Sequence, residues 1–208
     1  MRADSAAAAM RRAISAGEYA PGEQLIEADM AERLDVSRNT LREAFAMLVA
    51  DGLLLRIRNR GVFIAQLGAA EICDLYLARA AVEPAAIAWG EHHDVDKLND
   101  VVARAEQALS EGRHADVALA NQQFHRQIVA GMGSATLDAN MDRLLARMRL
   151  VFLQVLRREP GFHGDYVGLN RRVLTLLAAG QKKKAAAALH DSLVQTSRRV
   201  QDIIAQGT

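Results

Sequence analysis

Val36-Ser37-Arg38-Asn39-Thr40-Leu41-Arg42-Glu43-Ala44-Phe45 opens a helix with a cap at its start and a polar leading edge. Ser37 is a good N-cap, because its hydroxyl can accept from an otherwise unsatisfied backbone N–H of the first turn. Through Ala50, Leu41, Phe45, Leu48 and Val49 fall on one helical stripe, and Arg38, Asn39 and Arg42 face away from it. Asp51-Gly52 ends the helix. Two short strands, Leu53 to Ile57 and Val62 to Gln66, then flank a basic, Gly-closed hairpin tip, Arg58-Asn59-Arg60-Gly61. Upstream, residues 5–16 predict a helix stopped by Gly17, and Ala20-Pro21-Gly22-Glu23 is a turn. A short helix follows from Glu27 to Leu34, joined through Asp35 and Val36 to the capped one. This order of elements, over residues 1–67, is that of a winged helix-turn-helix, and it makes double-stranded DNA the expected partner.

Charge supports that reading only locally. The 208-residue chain has a formal net charge of +1. Between Arg38 and Arg60, however, five arginines (38, 42, 56, 58 and 60) face two acids, Glu43 and Asp51. Such a local surplus can supply a docking face on a nearly neutral protein. Arg38 or Arg42 can pair with guanine O6 and N7, while Ser37, Asn39 and Thr40 reach base edges or phosphates. Arg56, Arg58, Asn59 and Arg60 of the wing suit phosphates or the minor groove, with Gly61 allowing close backbone approach. The plainer alternative is a solvated helix face in which the arginines pair with Glu43 or Glu32.

Residues 68–208 read as helical throughout, which makes the chain mainly α: a winged helix followed by an all-helical antiparallel bundle. Helices are expected near 69–91, 94–111, 114–131, 134–157, 165–179 and 181–204, separated by short breaks. Pro84 lies inside the first of these and predicts a kink. Leu137, Met141, Leu144, Leu145, Met148, Val151, Phe152 and Val155 form a wide stripe read mainly as core. Cys73 and Trp89 are read as packing residues, and Lys182-Lys183-Lys184 as a solvated face. No apolar run reaches the roughly 18 residues of a membrane span, and the N-terminus lacks a secretory pattern; a cytoplasmic protein is expected. The chain shows no Ser/His/Asp order, P-loop or dinucleotide fingerprint, so an enzyme is not expected. An architectural DNA-binding protein without a ligand would hardly need so large a second domain.

Residues 14–65 resemble the DNA-binding domain of the GntR family of bacterial transcription regulators. The matching positions are Gly17, Pro21-Gly22 and Leu25, then Met30-Ala31-Glu32, Leu34, Val36-Ser37-Arg38 and Arg42-Glu43-Ala44. The match continues through Leu48, Gly52-Leu53 and Asn59-Arg60-Gly61. Where that family often has a basic residue early in the second helix, this chain has Glu27-Ala28-Asp29. The remainder is similar to the FCD effector domain of the FadR subfamily, through Arg79, Glu83-Pro84-Ala85-Ala86 and Phe124-His125. Its six helices point to the VanR-like branch.

The resemblance implies a homodimer on a palindromic operator, with repression the commoner outcome, and a small-molecule effector in the helical domain. In many such domains an Asp or Asn and a His four residues on begin a metal site completed by two further histidines. Here the first pair is Asn121 and His125, but the remaining positions align with Asn170 and Ser192. His190 is displaced by about 200° around its helix. No cofactor is therefore expected, a metal held through His125 being the main rival reading. The favoured alternative is a polar cavity of Asn121, His125, Asn170 and Ser192 that binds an organic, carboxylate-type effector. Arg79, Arg143 or Arg147 would then neutralise it, unless Arg79 is spent on Glu83 at i+4.

Overall fold

The computed structural model describes residues 2–206. In chain order it contains α1 (Ala3–Ala16), β1 (Gln24–Leu25), α2 (Glu27–Leu34), α3 (Arg38–Ala50), β2 (Leu54–Ile57) and β3 (Gly61–Ile64). These are followed by α4 (Ala69–Trp89), α5 (Val95–Ser110), α6 (His114–Ala130), α7 (Ala135–Leu156), α8 (Gly164–Ala178) and α9 (Lys182–Ala205). The chain divides into two compact units. One comprises Met1–Leu67 with Ala146–Gln154, and the other Gly68–Leu145 with Val155–Thr208. A segment of α7, Ala146–Gln154, belongs with the first unit.

In the first unit α1 packs on α3. Met10 and Ile14 meet Leu41, Phe45 and Leu48 in a core from which all five side chains have lost solvent. Arg11 fixes the end of α3 by donating through Nε and Nη2 to Asp51, at 2.9 and 2.6 Å. α2 closes on Asp35 in the left-handed conformation, φ 51°. Asp tolerates that region better than most residues, and the tight connection delivers Ser37 directly to the start of α3. Ser37 Oγ accepts from the Thr40 amide at 3.1 Å, as its sequence position predicts.

The sheet has the order β1-β3-β2 and is antiparallel throughout. The third strand, β1, is absent from the sequence reading. It is two residues long, too short to show an alternating pattern, and exists because Gln24 and Leu25 pair with Phe63 and Val62. Gln24 Nε2 also donates to the Arg60 carbonyl at 2.8 Å, which ties β1 to the wing tip. At that tip Asn59 (φ 60°) and Gly61 (φ 107°) take left-handed conformations. This explains an Asn and a Gly at these positions.

In the second unit α4 runs along α9, α5 pairs with α6, and α8 bridges α5 and α9. α4 continues through Pro84 as one helix. Lys182 is not simply solvated: its ammonium donates to the Gly90 carbonyl at 2.6 Å, just past the end of α4. A cation there suits the unpaired carbonyls and the helix dipole. Trp89 is not packed but 74% exposed, and Cys73 is half-buried. Trp89 and Leu77, itself 65% exposed, share a flank of α4 with Ala78, Ala81, Ala85 and Ala88. Leu77, Ala78, Ala81 and Trp89 of this flank are exposed, and Ala85 and Ala88 are half-buried.

Candidate nucleic-acid interface and buried polar cluster

The N-terminal half of α3 presents its polar side chains outward because the 3.6-residue repeat turns Leu41, Ala44, Phe45 and Leu48 into the core. Arg38, Asn39, Arg42 and Glu43 are exposed, as are Arg56, Arg58, Asn59, Arg60 and Gly61 in the wing. Ser37 and Thr40 are engaged with each other, their hydroxyl oxygens lying 2.9 Å apart. Asn39 Nδ2 donates to Glu43 Oε1 at 2.9 Å, one turn along the helix. Arg42 Nε donates to Glu27 Oε2 at 3.0 Å, which links α3 to the first turn of α2. Its partner is thus neither of the acids, Glu43 and Glu32, named from sequence. The Arg60 guanidinium lies over the Phe63 ring at 5.8 Å from its centroid.

The second unit contains a buried polar cluster. On α4, Arg79 Nε donates to Glu83 Oε1 at 2.7 Å, with side-chain exposures of 2% and 0%. The other oxygen, Glu83 Oε2, lies 2.6 Å from His125 Nδ1 on α6. One turn before His125 on α6, Asn121 Oδ1 accepts from Asn170 Nδ2 of α8 at 2.9 Å. Burial disfavours the Glu83 carboxylate, but Arg79 and then His125 outweigh it and hold Glu83 below the usual range. Burial also pushes the His125 imidazole down, with Glu83 opposing only in part. A neutral His125 facing a carboxylate carries its proton on Nδ1, which leaves the lone pair on Nε2. Tyr76, whose ring lies 5.2 Å from the Arg79 guanidinium, has a buried hydroxyl with no hydrogen-bond partner among the described residues. Burial raises its pKa.

Of the effector residues inferred from sequence, Arg79, Asn121, His125 and Asn170 are thus buried polar groups of one helical unit. Ser192 is half-buried on α9, where its carbonyl accepts from Thr196 Oγ1 at 2.6 Å. Arg143 is exposed and reaches Asn140. Arg147 belongs to the first unit, where a Cβ on Gly52 would sit 3.0 Å from its Nε. The last two therefore have surroundings unlike those expected of them. The Glu83–His125 bond and the Tyr76 hydroxyl were missed. A bond between positions 42 residues apart leaves no periodic trace, whereas Arg79 and Glu83 four apart on one helix did.

The metal site of similar domains finds no fitting donor set here. Both Glu83 oxygens are taken, Asn121 Oδ1 is used by Asn170, and one imidazole nitrogen remains. A zinc-type ion requires three or four converging N, S or carboxylate ligands. Among the described residues no group of three or more His, Cys, Asp or Glu side chains is placed to hold a metal. No helix among them is long and apolar enough to cross a membrane.

Two stretches of the chain match known families. Residues 2–64 match the model of bacterial regulatory proteins of the gntR family, and residues 74–195 match the FCD domain. The chain is 30% identical to the HTH-type transcriptional repressor GlaR of Escherichia coli K12 over 70% of its own length and 71% of the relative's. It is also 32% identical to an HTH-type regulator in the TAR-I ttuE-ttuC' intergenic region of Agrobacterium vitis, over 62% and 80%. A crystal structure of a GntR transcriptional regulator from Rhodococcus sp. RHA1 superposes with a TM-score of 0.88 at 32% identity, covering 95% of this chain and 96% of that one. E. coli McbR/YncC shares the fold, with a TM-score of 0.82 at 20% identity over 96% and 97%. With its winged helix and its FCD domain both matched, the chain belongs to the GntR family of transcription regulators.

Proposed function

We propose that this regulator is a cytoplasmic repressor that binds a palindromic operator as a homodimer and is released by a small organic effector held in its helical domain. It has no catalytic role in this reading. The observation that carries the DNA half is the exposure of Arg38, Asn39 and Arg42 along one edge of α3, with Arg58 and Arg60 at the tip of the wing of the same unit. A helix edge of this chemistry suits the major groove, and a basic wing suits the neighbouring backbone or minor groove. Repression is supported by the name borne by the E. coli relative.

The dimer rests on the α4 flank of Leu77, Ala78, Ala81 and Trp89, an apolar face of a kind that monomers rarely leave in water. A two-fold dimer would carry two winged helices and would require a two-fold operator. The effector reading rests on the buried cluster. Its formal charges cancel, so a carboxylate ligand would bring an uncompensated negative charge to the cluster. An effector offering an acceptor to the Tyr76 hydroxyl and a donor to His125 Nε2 would meet the cluster with the Arg79–Glu83 ion pair intact. It would shift DNA affinity only by its differential affinity for the free and DNA-competent arrangements.

The test is enrichment of duplexes from a random pool by the purified protein, followed by hydroxyl-radical footprinting. Two protected half-sites related by a dyad and about one helical turn apart, or a multiple of it, are expected. A single unsymmetrical footprint would contradict the dimeric reading, and failure to enrich any sequence would contradict operator recognition.

A further inference from the structure

We propose that Glu27 is a specificity-determining positioning residue, which commits Arg42 to a base edge and keeps it off the phosphate backbone. The proposal rests on the reading of α3 as the DNA-contacting helix. Glu27 Oε2 accepts from Arg42 Nε at 3.0 Å, and the two side chains are 31% and 60% exposed. A guanidinium can recognise a partner side-on, through Nε and one Nη, or end-on, through both Nη groups. With Nε occupied by Glu27, the end-on pair remains, and it matches the O6 and N7 acceptors of guanine.

The carboxylate also decides between the two surfaces that DNA offers. A guanine edge presents acceptors without net charge, so it can share the guanidinium with Glu27. A phosphate is a second anion, brought up beside the first on a duplex with one charge per about 1.7 Å of axis. Glu27 therefore selects against the contact that all sequences provide and leaves the contact that only some provide. Asp29, also in the first turn of α2, adds charge of the same sign. On α3 itself, Glu43 holds Asn39 in a comparable way. The acidic start of α2, out of place for a phosphate-binding element, becomes intelligible as a means of discrimination.

The experiment uses the full-length protein with two duplexes: one enriched from a random pool by the wild type, and a scrambled duplex of the same length and composition. Dissociation constants are measured at several KCl concentrations for the wild type, Glu27→Gln, Arg42→Ala and the double variant. Glu27→Gln keeps the shape and an acceptor but removes the charge. It should tighten the scrambled duplex by about three- to tenfold and steepen its salt dependence by about one unit of slope. The enriched duplex should change less, so the ratio of the two falls. In the Arg42→Ala background the Glu27→Gln effect on that ratio should vanish, which an effect of net charge alone would not do. Enrichment by the wild type with an unchanged ratio in Glu27→Gln overturns this proposal alone. A wild type that enriches no duplex overturns it together with the DNA reading.

Discussion

Glu83 illustrates how one residue can organise an interior. It is completely buried, yet it remains ionised because Arg79 and His125 use both of its oxygens. Removing it would strand a buried guanidinium, a change that typically costs about 3–5 kcal/mol. Glu83→Ala should therefore show a loss of that size in urea unfolding of the helical transition, while a change under 1 kcal/mol would mean that water reaches Arg79. The same bonds set a pH dependence. The folded His125 pKa lies below its ordinary 6.5. The unfolded chain thus binds the proton more readily, and stability is present above about 6.5 and lost as pH falls below it. Glu83, also lowered from its ordinary value of 4.5, adds a further loss as pH falls through the acid range. The thermal midpoint should decline from pH 7 to pH 4, and less steeply in His125→Gln.

Elements were legible in proportion to the length of their periodic signal. The six helices from α4 to α9 fall within two residues of their expected ends, because they run for several turns and have a Gly or a cap at their boundaries. α3 was legible for the same reasons, with Ser37 as its cap. β1 was not, since two residues have no pattern and the strand exists only through its partner β3. The exposure of Trp89 was hidden for a related reason: α4 is apolar on nearly all sides, so no polar face marked its solvent side. In the candidate sites, residue types were legible but pairings across the fold were not. Arg42 finds Glu27 and His125 finds Glu83 over 15 and 42 positions. Such distances are closed by tertiary packing, which a single sequence does not display.

At the scale of the whole molecule, the proposed mechanism requires two copies. The α4 flank is the surface in question, and an isologous pairing would set the same residues of two copies against each other about a two-fold axis. Trp89→Glu would place like charges on such a contact and should convert the dimer to monomer in light scattering at micromolar concentration. Leu119→Glu, at another exposed leucine on α6, should leave the assembly unchanged. An unaltered dimer in Trp89→Glu would move the interface elsewhere.

The most direct test of the central claim, that the edge of α3 reads DNA, is the binding of Arg38→Ala to an enriched duplex and to a scrambled one at the same salt concentration. A base-reading Arg38 predicts a loss of about 1–3 kcal/mol on the enriched duplex, with relaxed preference at one base position in each half-site. The scrambled duplex should weaken far less. Equal weakening of both duplexes, or none, would contradict the account.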